Sequence, residues 1–219
     1  MSHLSFADDL PLTRAALDFA ESHHAHQWRL TDGAPFLMHP VEVASLLERG
    51  GYPDHVVAAA VLHDVLEDTD VERTELEGRF GRAVGDLVAA VSDDPAISDE
   101  EARKDELRER VRRTGGCALA VYASDKVSKV RELRYLLAEG LSPDEAESKL
   151  RRHSKSLLML EKELPGNRLV KLLRFELESL EALPPHRGHV PRSGGSSGTG
   201  PSADRLVRRQ GESSRRAPE

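Results

Sequence analysis

Apolar residues recur three and four positions apart along most of this chain, the spacing of one face of an α-helix. Leu12, Ala16, Phe19 and Ala20 predict a first helix over about 8–26, broken by Thr31-Asp32-Gly33-Ala34-Pro35. A second is predicted from near His39-Pro40 through Val43, Leu46 and Leu47 to the stop at Gly50-Gly51. Pro53-Asp54 opens a third. Leu76, Phe80, Val84, Leu87, Val88 and Val91 predict two short helices separated near Phe80-Gly81. Residues 99–113 are almost entirely charged, with Leu107 and Val111 to bury, and predict an exposed helix or mobile segment ended by Thr114-Gly115-Gly116. A long helix follows over about 118–138. Ser142-Pro143-Asp144-Glu145 combines an N-cap, a proline at the first helical position and a capping-box glutamate, so a helix starts there and reaches about Glu163. Pro165-Gly166-Asn167 separates it from a last helix over roughly 168–183.

Beyond Pro184 the periodicity ends. Pro, Gly and Ser supply 17 of the last 36 residues, so residues 184–219 are predicted to be a disordered tail behind one domain over 1–183. With aromatics at 4% of 219 residues and few β-branched runs, the fold class expected is all-α. The single cysteine, Cys117, excludes an intramolecular disulfide and a cysteine-based metal site, and reads as a small buried apolar residue. No basic segment followed by an apolar stretch opens the chain, and no apolar run approaches the ~18 residues of a membrane span, so a cytoplasmic location is expected.

The formal charge of −7 is uneven: the tail holds seven Arg against three acidic residues, leaving −11 on the rest. A phosphate-bearing ligand would meet an unfavourable average field and needs a local basic pocket or a cation. Nucleic acid and membranes are not expected partners.

Against that background Val61-Leu62-His63-Asp64-Val65-Leu66-Glu67-Asp68-Thr69-Asp70 stands out. On a helix turning about 100° per residue, His63, Asp64, Glu67 and Asp68 fall on one arc of roughly 140°, with Ala58, Ala59, Leu62, Val65 and Leu66 opposite. Two more ligand-type side chains lie within or beside apolar helical segments: His39 in Pro35-Phe36-Leu37-Met38-His39-Pro40, and Asp125 in Ala120-Val121-Tyr122-Ala123-Ser124-Asp125-Lys126. A carboxylate among Leu119, Val121, Val127 and Val130 costs several kcal/mol, on the order of an unpaired buried ion, unless a cation compensates it. Two imidazoles and two carboxylates make an N2O2 set for one divalent metal. His23, His24 and His26 point in different directions on a helix and are not expected to bind a metal.

Phe36-Leu37-Met38-His39-Pro40, Ala58 to Thr69, Phe80 to Val88 and Ala123-Ser124-Asp125-Lys126 together resemble the successive motifs of the HD-domain superfamily. Within it they are most similar to the hydrolase domain of the RelA/SpoT homologues, in particular the stand-alone small alarmone hydrolases. The resemblance spans roughly residues 12–163. It implies an HD-type helical bundle and a manganese-dependent pyrophosphohydrolase that removes the 3′-diphosphate of ppGpp or pppGpp, giving GDP or GTP and pyrophosphate. By motif position His39, His63, Asp64 and Asp125 would be the metal ligands, Glu67 and Asp68 would serve the bound water, and Arg29 would lie against the guanine. Lys126, Lys129, Lys104 and Arg103 are the candidate phosphate contacts, Lys126 first because it adjoins a ligand.

The chain departs from the family pattern at two places that bear on substrate rather than metal. Lys129 stands where Asn is common, and Leu30 where a basic residue usually follows the guanine-stacking Arg. Two alternatives therefore stay open: an HD phosphohydrolase for another nucleotide, and a non-catalytic nucleotide-binding regulatory module. Native metal, oligomeric state and regulation are not legible at this level.

Overall fold

The computed structural model describes residues 5–29 and 31–182, and within them the chain is all-α. Leu30 and the predicted tail, 184–219, lie outside the described residues. Short 3-10 helix Ser5–Ala7 precedes α1 (Pro11–His23), α2 (Met38–Arg49), α3 (Asp54–Val61), α4 (Val65–Asp68), α5 (Arg73–Phe80), α6 (Arg82–Val91), α7 (Glu100–Thr114), α8 (Gly116–Ala138), α9 (Pro143–Glu163) and α10 (Arg168–Glu181). The β-type pairing among the described residues is an isolated bridge between Trp28 and Pro35.

Boundaries follow local chemistry. Ser142 Oγ accepts from Glu145 N at 3.3 Å to start α9, as the N-cap predicts, and Asn167 Oδ1 accepts from Leu169 N at 2.8 Å to start α10. Gly81, at φ +85°, turns the chain between α5 and α6 in a conformation that a side chain would strain. The charged segment forms a helix, α7, capped by Asp99, whose carboxylate accepts from Ala102 N at 2.7 Å. One cap is not local: the Asp54 carboxylate, at the start of α3, accepts from Leu12 N and Thr13 N at 2.9 Å each and from Thr13 Oγ1 at 2.6 Å. It ties the first turn of α1 to α3.

Helix α3 is the axis of the fold. It packs against α1, α2, α6 and α8, and every residue from Val56 to Leu62 is fully buried. Such a helix is apolar all round, without the single packing face predicted for it. Helix α10 closes the far side against α8 and α9, and α7 packs on α6, α8 and α9. Cys117 is half-buried at the edge of the core rather than buried within it. No helix among the described residues is long and apolar enough to cross a membrane.

Candidate metal centre

The predicted continuous helix through residues 54–68 does not form: α3 ends at Val61, residues 62–64 make a turn, and α4 starts at Val65. The cause is in the sequence. His63 Nδ1 reaches back to the carbonyl of Ala60 at 2.7 Å, taking the acceptor that a continuing helix would offer to the amide of Asp64. The turn then tightens, with Val65 N bonded to Leu62 O at 3.0 Å. His63 and Asp64 thus leave the helical arc and point from the turn into the interior, both buried.

Two other elements meet them there. His39 stands in the first turn of α2, and Asp125 sits midway along α8, each buried. His39 Nε2 lies 3.2 Å from His63 Nε2. Asp125 Oδ1 is 3.2 Å from His39 Nε2 and 3.6 Å from His63 Nε2, and Asp64 Oδ2 is 3.4 and 3.1 Å from the same two atoms. His39, His63 and Asp125 present one ligand atom each within a 4.8 Å span, a group that could hold a metal ion. Asp64 shares both imidazoles with Asp125.

Proton accounting shows how well this donor set fits a cation. His63 Nδ1 donates to Ala60 O, so its Nε2 carries a free lone pair in the neutral ring. Asp125 Oδ1 is buried and accepts no well-formed hydrogen bond, although Lys129 Nζ lies 3.1 Å away. Burial opposes the charged forms here, yet the Asp64 and Asp125 carboxylates outweigh it and raise His63 to about 10. Burial likewise opposes ionisation of Asp125, and Lys126 and Lys129 override it, holding that carboxyl well below its usual range. The two carboxylates therefore draw positive charge to this centre, a proton on His63 in the metal-free protein, and with that proton displaced the N2O2 donors suit a divalent metal.

Glu67 and Asp68 follow on α4, half-buried. Glu67 Oε1 accepts from the amide of Asp93 at 2.7 Å, and the backbone carbonyl of Asp68 accepts from Gln27 Nε2 at 2.7 Å, which pins the 24–37 loop beside the site. Burial, then the Asp64 charge, pushes Glu67 up, and burial with Asp64 and Glu67 pushes Asp68 to about 7. An ionised carboxylate with that affinity for protons is matched to taking one from water near neutral pH.

Beyond Lys126 and Lys129 opens a cleft of about 140 Å³ that concentrates positive charge on an acidic protein. Lys104, Arg108, Lys126, Lys129, Lys149 and Arg152 line it, against Glu100 as its acid. Lys126, Lys129 and Lys104 were expected here; Arg108, Lys149 and Arg152 were not. Arg108 belongs to the helix read as solvated, yet it is 8% exposed. Lys149, Arg152 and His153 share one face of α9 at helical spacing, but nothing in the sequence says that this face meets α8. Burial and the nearby Lys126 lower His153 to about 3, so it stays neutral.

Three of the predicted contacts already hold an acidic partner outside the histidine–carboxylate cluster, and one of them, Lys104, lines the cleft while donating to Asp93 at 2.6 Å. Arg29 pairs with Asp32 across its own turn and does not line the cleft, and Arg103 donates to Asp93 at 3.2 Å and to Ile97 O at 3.0 Å. Trp28 is 60% exposed. Of the histidine triplet, His23 packs on Phe19, His24 turns inward to Gln27 and Phe36, and His26 is exposed.

Comparison with known proteins agrees with this architecture. Residues 16–157 match the HD domain family model. Human MESH1, a guanosine-3′,5′-bis(diphosphate) 3′-pyrophosphohydrolase, is 37% identical over 130 residues, 58% of this chain and 72% of its own. The guanosine-3′,5′-bis(diphosphate) 3′-pyrophosphohydrolase of Aquifex aeolicus is 33% identical over 120 residues, 54% of this chain and 17% of that longer protein. A solved structure of a metazoan ortholog of SpoT that hydrolyses ppGpp superposes with a TM-score of 0.69 at 24% identity, covering 78% of this chain and 96% of the other. A crystal structure of lmo0812 from Listeria monocytogenes gives 0.59 at 25% identity, covering 65% and 92%. With His39, His63, Asp64 and Asp125 gathered around α3 and the family model spanning most of the described helices, this chain belongs to the HD-domain family.

Proposed function

We propose that this protein is a metal-dependent hydrolase of the 3′-diphosphate of ppGpp and pppGpp, releasing pyrophosphate and leaving GDP or GTP. The observation that carries the reading is the junction of the two halves of the site. The His39, His63, Asp64 and Asp125 cluster shares Asp125 with the basic cleft through Lys126 and Lys129. A substrate with phosphates at two positions of one nucleotide needs such a pair of neighbouring sites. The relatives named for this activity supply the substrate.

Hydrolysis adds one water across the bond between the ribose 3′-oxygen and its phosphorus. The 3′-oxygen leaves with a proton and pyrophosphate keeps the hydroxyl. A divalent cation bound by His39, His63, Asp64 and Asp125, manganese by resemblance to the family, supplies charge neutralisation and a lowered water pKa. Asp68 takes the proton of the attacking water, a step to which its raised affinity for protons suits it, and Glu67 orients that water. Lys104, Lys126, Lys129, Lys149 and Arg152 hold the remaining phosphates, and the 24–37 loop with Arg29 borders the nucleoside. Arg29 must release Asp32 to reach a base.

The test is incubation of the purified protein with ppGpp and Mn2+, a chelator control and a His63→Ala/Asp64→Ala variant, with the products resolved. Release of GDP and pyrophosphate by the wild type alone is expected. Turnover of other nucleotides with ppGpp left intact would assign a different HD phosphohydrolase activity, and metal-dependent nucleotide binding without turnover a regulatory module.

A further inference from the structure

A chain of side chains that takes no part in hydrolysis fixes the proton on the outer edge of His39. Ser128 Oγ lies 2.9 Å from His39 Nδ1 and donates to Glu42 Oε2 at 2.7 Å. The other oxygen of Glu42 accepts from Arg131 Nη1 at 2.7 Å, and Arg131 Nε donates to Glu176 Oε1 at 2.8 Å. Arg134 Nη2 holds the second oxygen of Glu176 at 3.1 Å.

The direction of these bonds is forced. A hydroxyl has one proton to give, and the arginine-paired Glu42 carboxylate can only accept. Ser128 therefore gives its proton to Glu42 and must receive one from His39, which places the ring proton on Nδ1. His39 Nε2 is then left bare in the neutral ring, facing His63 Nε2 at 3.2 Å and Asp125 Oδ1 at 3.2 Å. Glu42 stands three residues after His39 on α2, and Ser128 three after Asp125 on α8. Each of these helices thus carries one ligand and, a turn later, one member of the relay.

We propose that Ser128 and Glu42 are positioning residues that lock His39 into the tautomer a metal ligand requires, with Arg131 anchoring the relay to Glu176 on α10. The inference rests on reading the cluster as a metal site, and it does not depend on which nucleotide is hydrolysed. A hydrogen bond to the outer nitrogen of a ligating imidazole fixes ring orientation and raises its basicity, and losing that partner lowers metal affinity by about 10–100-fold.

The experiment titrates Mn2+ into the full chain, stripped of metal by chelation, and follows heat for the wild type, Ser128→Ala and Glu42→Gln. In Glu42→Gln the side-chain amide can donate to Ser128, which frees the hydroxyl to point at His39 and favours the wrong tautomer. Both variants should bind Mn2+ about 10–100-fold more weakly. In the Zn2+-loaded wild type the His39 Nδ1 proton should be visible by NMR and slow to exchange, and it should be lost to fast exchange in Ser128→Ala. Affinities within twofold of wild type in both variants, or a freely exchanging His39 Nδ1 proton in the wild type, overturn the proposal. Should Ser128→Ala fail to fold, Glu42→Gln, at a half-buried position, decides alone. A protein that binds Mn2+ through this relay yet leaves ppGpp intact keeps the relay and loses the proposed function, whereas a wild type that binds no divalent cation loses both.

Discussion

Lys126 and Asp125 are neighbours in sequence and partners in space: the Lys126 ammonium lies 2.7 Å from Asp125 Oδ2 and 4.4 Å above the Tyr122 ring. One oxygen of the buried carboxylate is thereby satisfied, and the other faces the two imidazoles and the Lys129 ammonium. Removing one member of a buried ion pair strands the other. Lys126→Met should destabilise the metal-free protein by about 3 kcal/mol, measured by urea denaturation. An unchanged midpoint would show that Lys129, 3.1 Å from Asp125 Oδ1, suffices as counter-ion.

Metal should stabilise what these cations leave uncompensated. A ligand that binds only the folded state at 100 times its dissociation constant adds about 2.7 kcal/mol. The midpoint of thermal unfolding should rise with Mn2+ and return on chelation, and a His63→Ala/Asp64→Ala variant should show neither change.

The acid–base behaviour of Asp68 predicts a stability signature as well. Its folded-state value, about 7, lies above the ordinary carboxylate value of 3.8. The folded metal-free protein therefore binds more protons than the unfolded chain between those values, and the contribution of Asp68 to stability is lost as pH rises through about 7. Asp68→Asn removes that loss. The metal-free variant should be more stable than wild type at pH 8 and equal to it near pH 4, as denaturant melts at both pH values would report.

The basic cleft should act on substrate binding more than on chemistry. Lys149→Glu reverses one charge on its wall and should raise KM for ppGpp roughly tenfold with kcat nearly unchanged. The effect should shrink at high salt, since a charge near the surface is screened. A matching fall in kcat instead would place Lys149 at the reacting phosphate.

Stability elsewhere leans on Asp54. Truncating it to Ala strips the partners from Leu12 N, Thr13 N and Thr13 Oγ1, at a cost of about 2 kcal/mol by chemical denaturation.

How legible each feature was depended on how local its cause is. Ser142-Pro143, Gly81 and Gly115-Gly116 set their helix boundaries through neighbouring residues, and the predicted positions hold within a few residues. His39, His63, Asp64 and Asp125 could be named because each places polarity in an apolar segment. The break at residues 62–64 was hidden. Val56 to Leu62 are apolar on every side, so periodicity carries no phase there, and the competing bond comes from a side chain. The cleft and the Glu42–Ser128 relay join helices far apart in the chain, and no spacing rule along one helix reports which faces will meet.

The interruption after Val61 has a mechanical consequence. An unbroken rod would carry His63, Asp64, Glu67 and Asp68 as one piece, so any shift of the proposed acceptors of the water's hydrogens would drag two proposed metal ligands with it. With a joint at residues 62–64, the imidazole and its neighbouring carboxylate are anchored to the buried α3, and the acceptors ride on a separate four-residue segment braced by Gln27 and the Asp93 amide. Gln27, whose side chain braces Asp68, is thus a place where the proposed acceptors can be moved without loosening the proposed ligands.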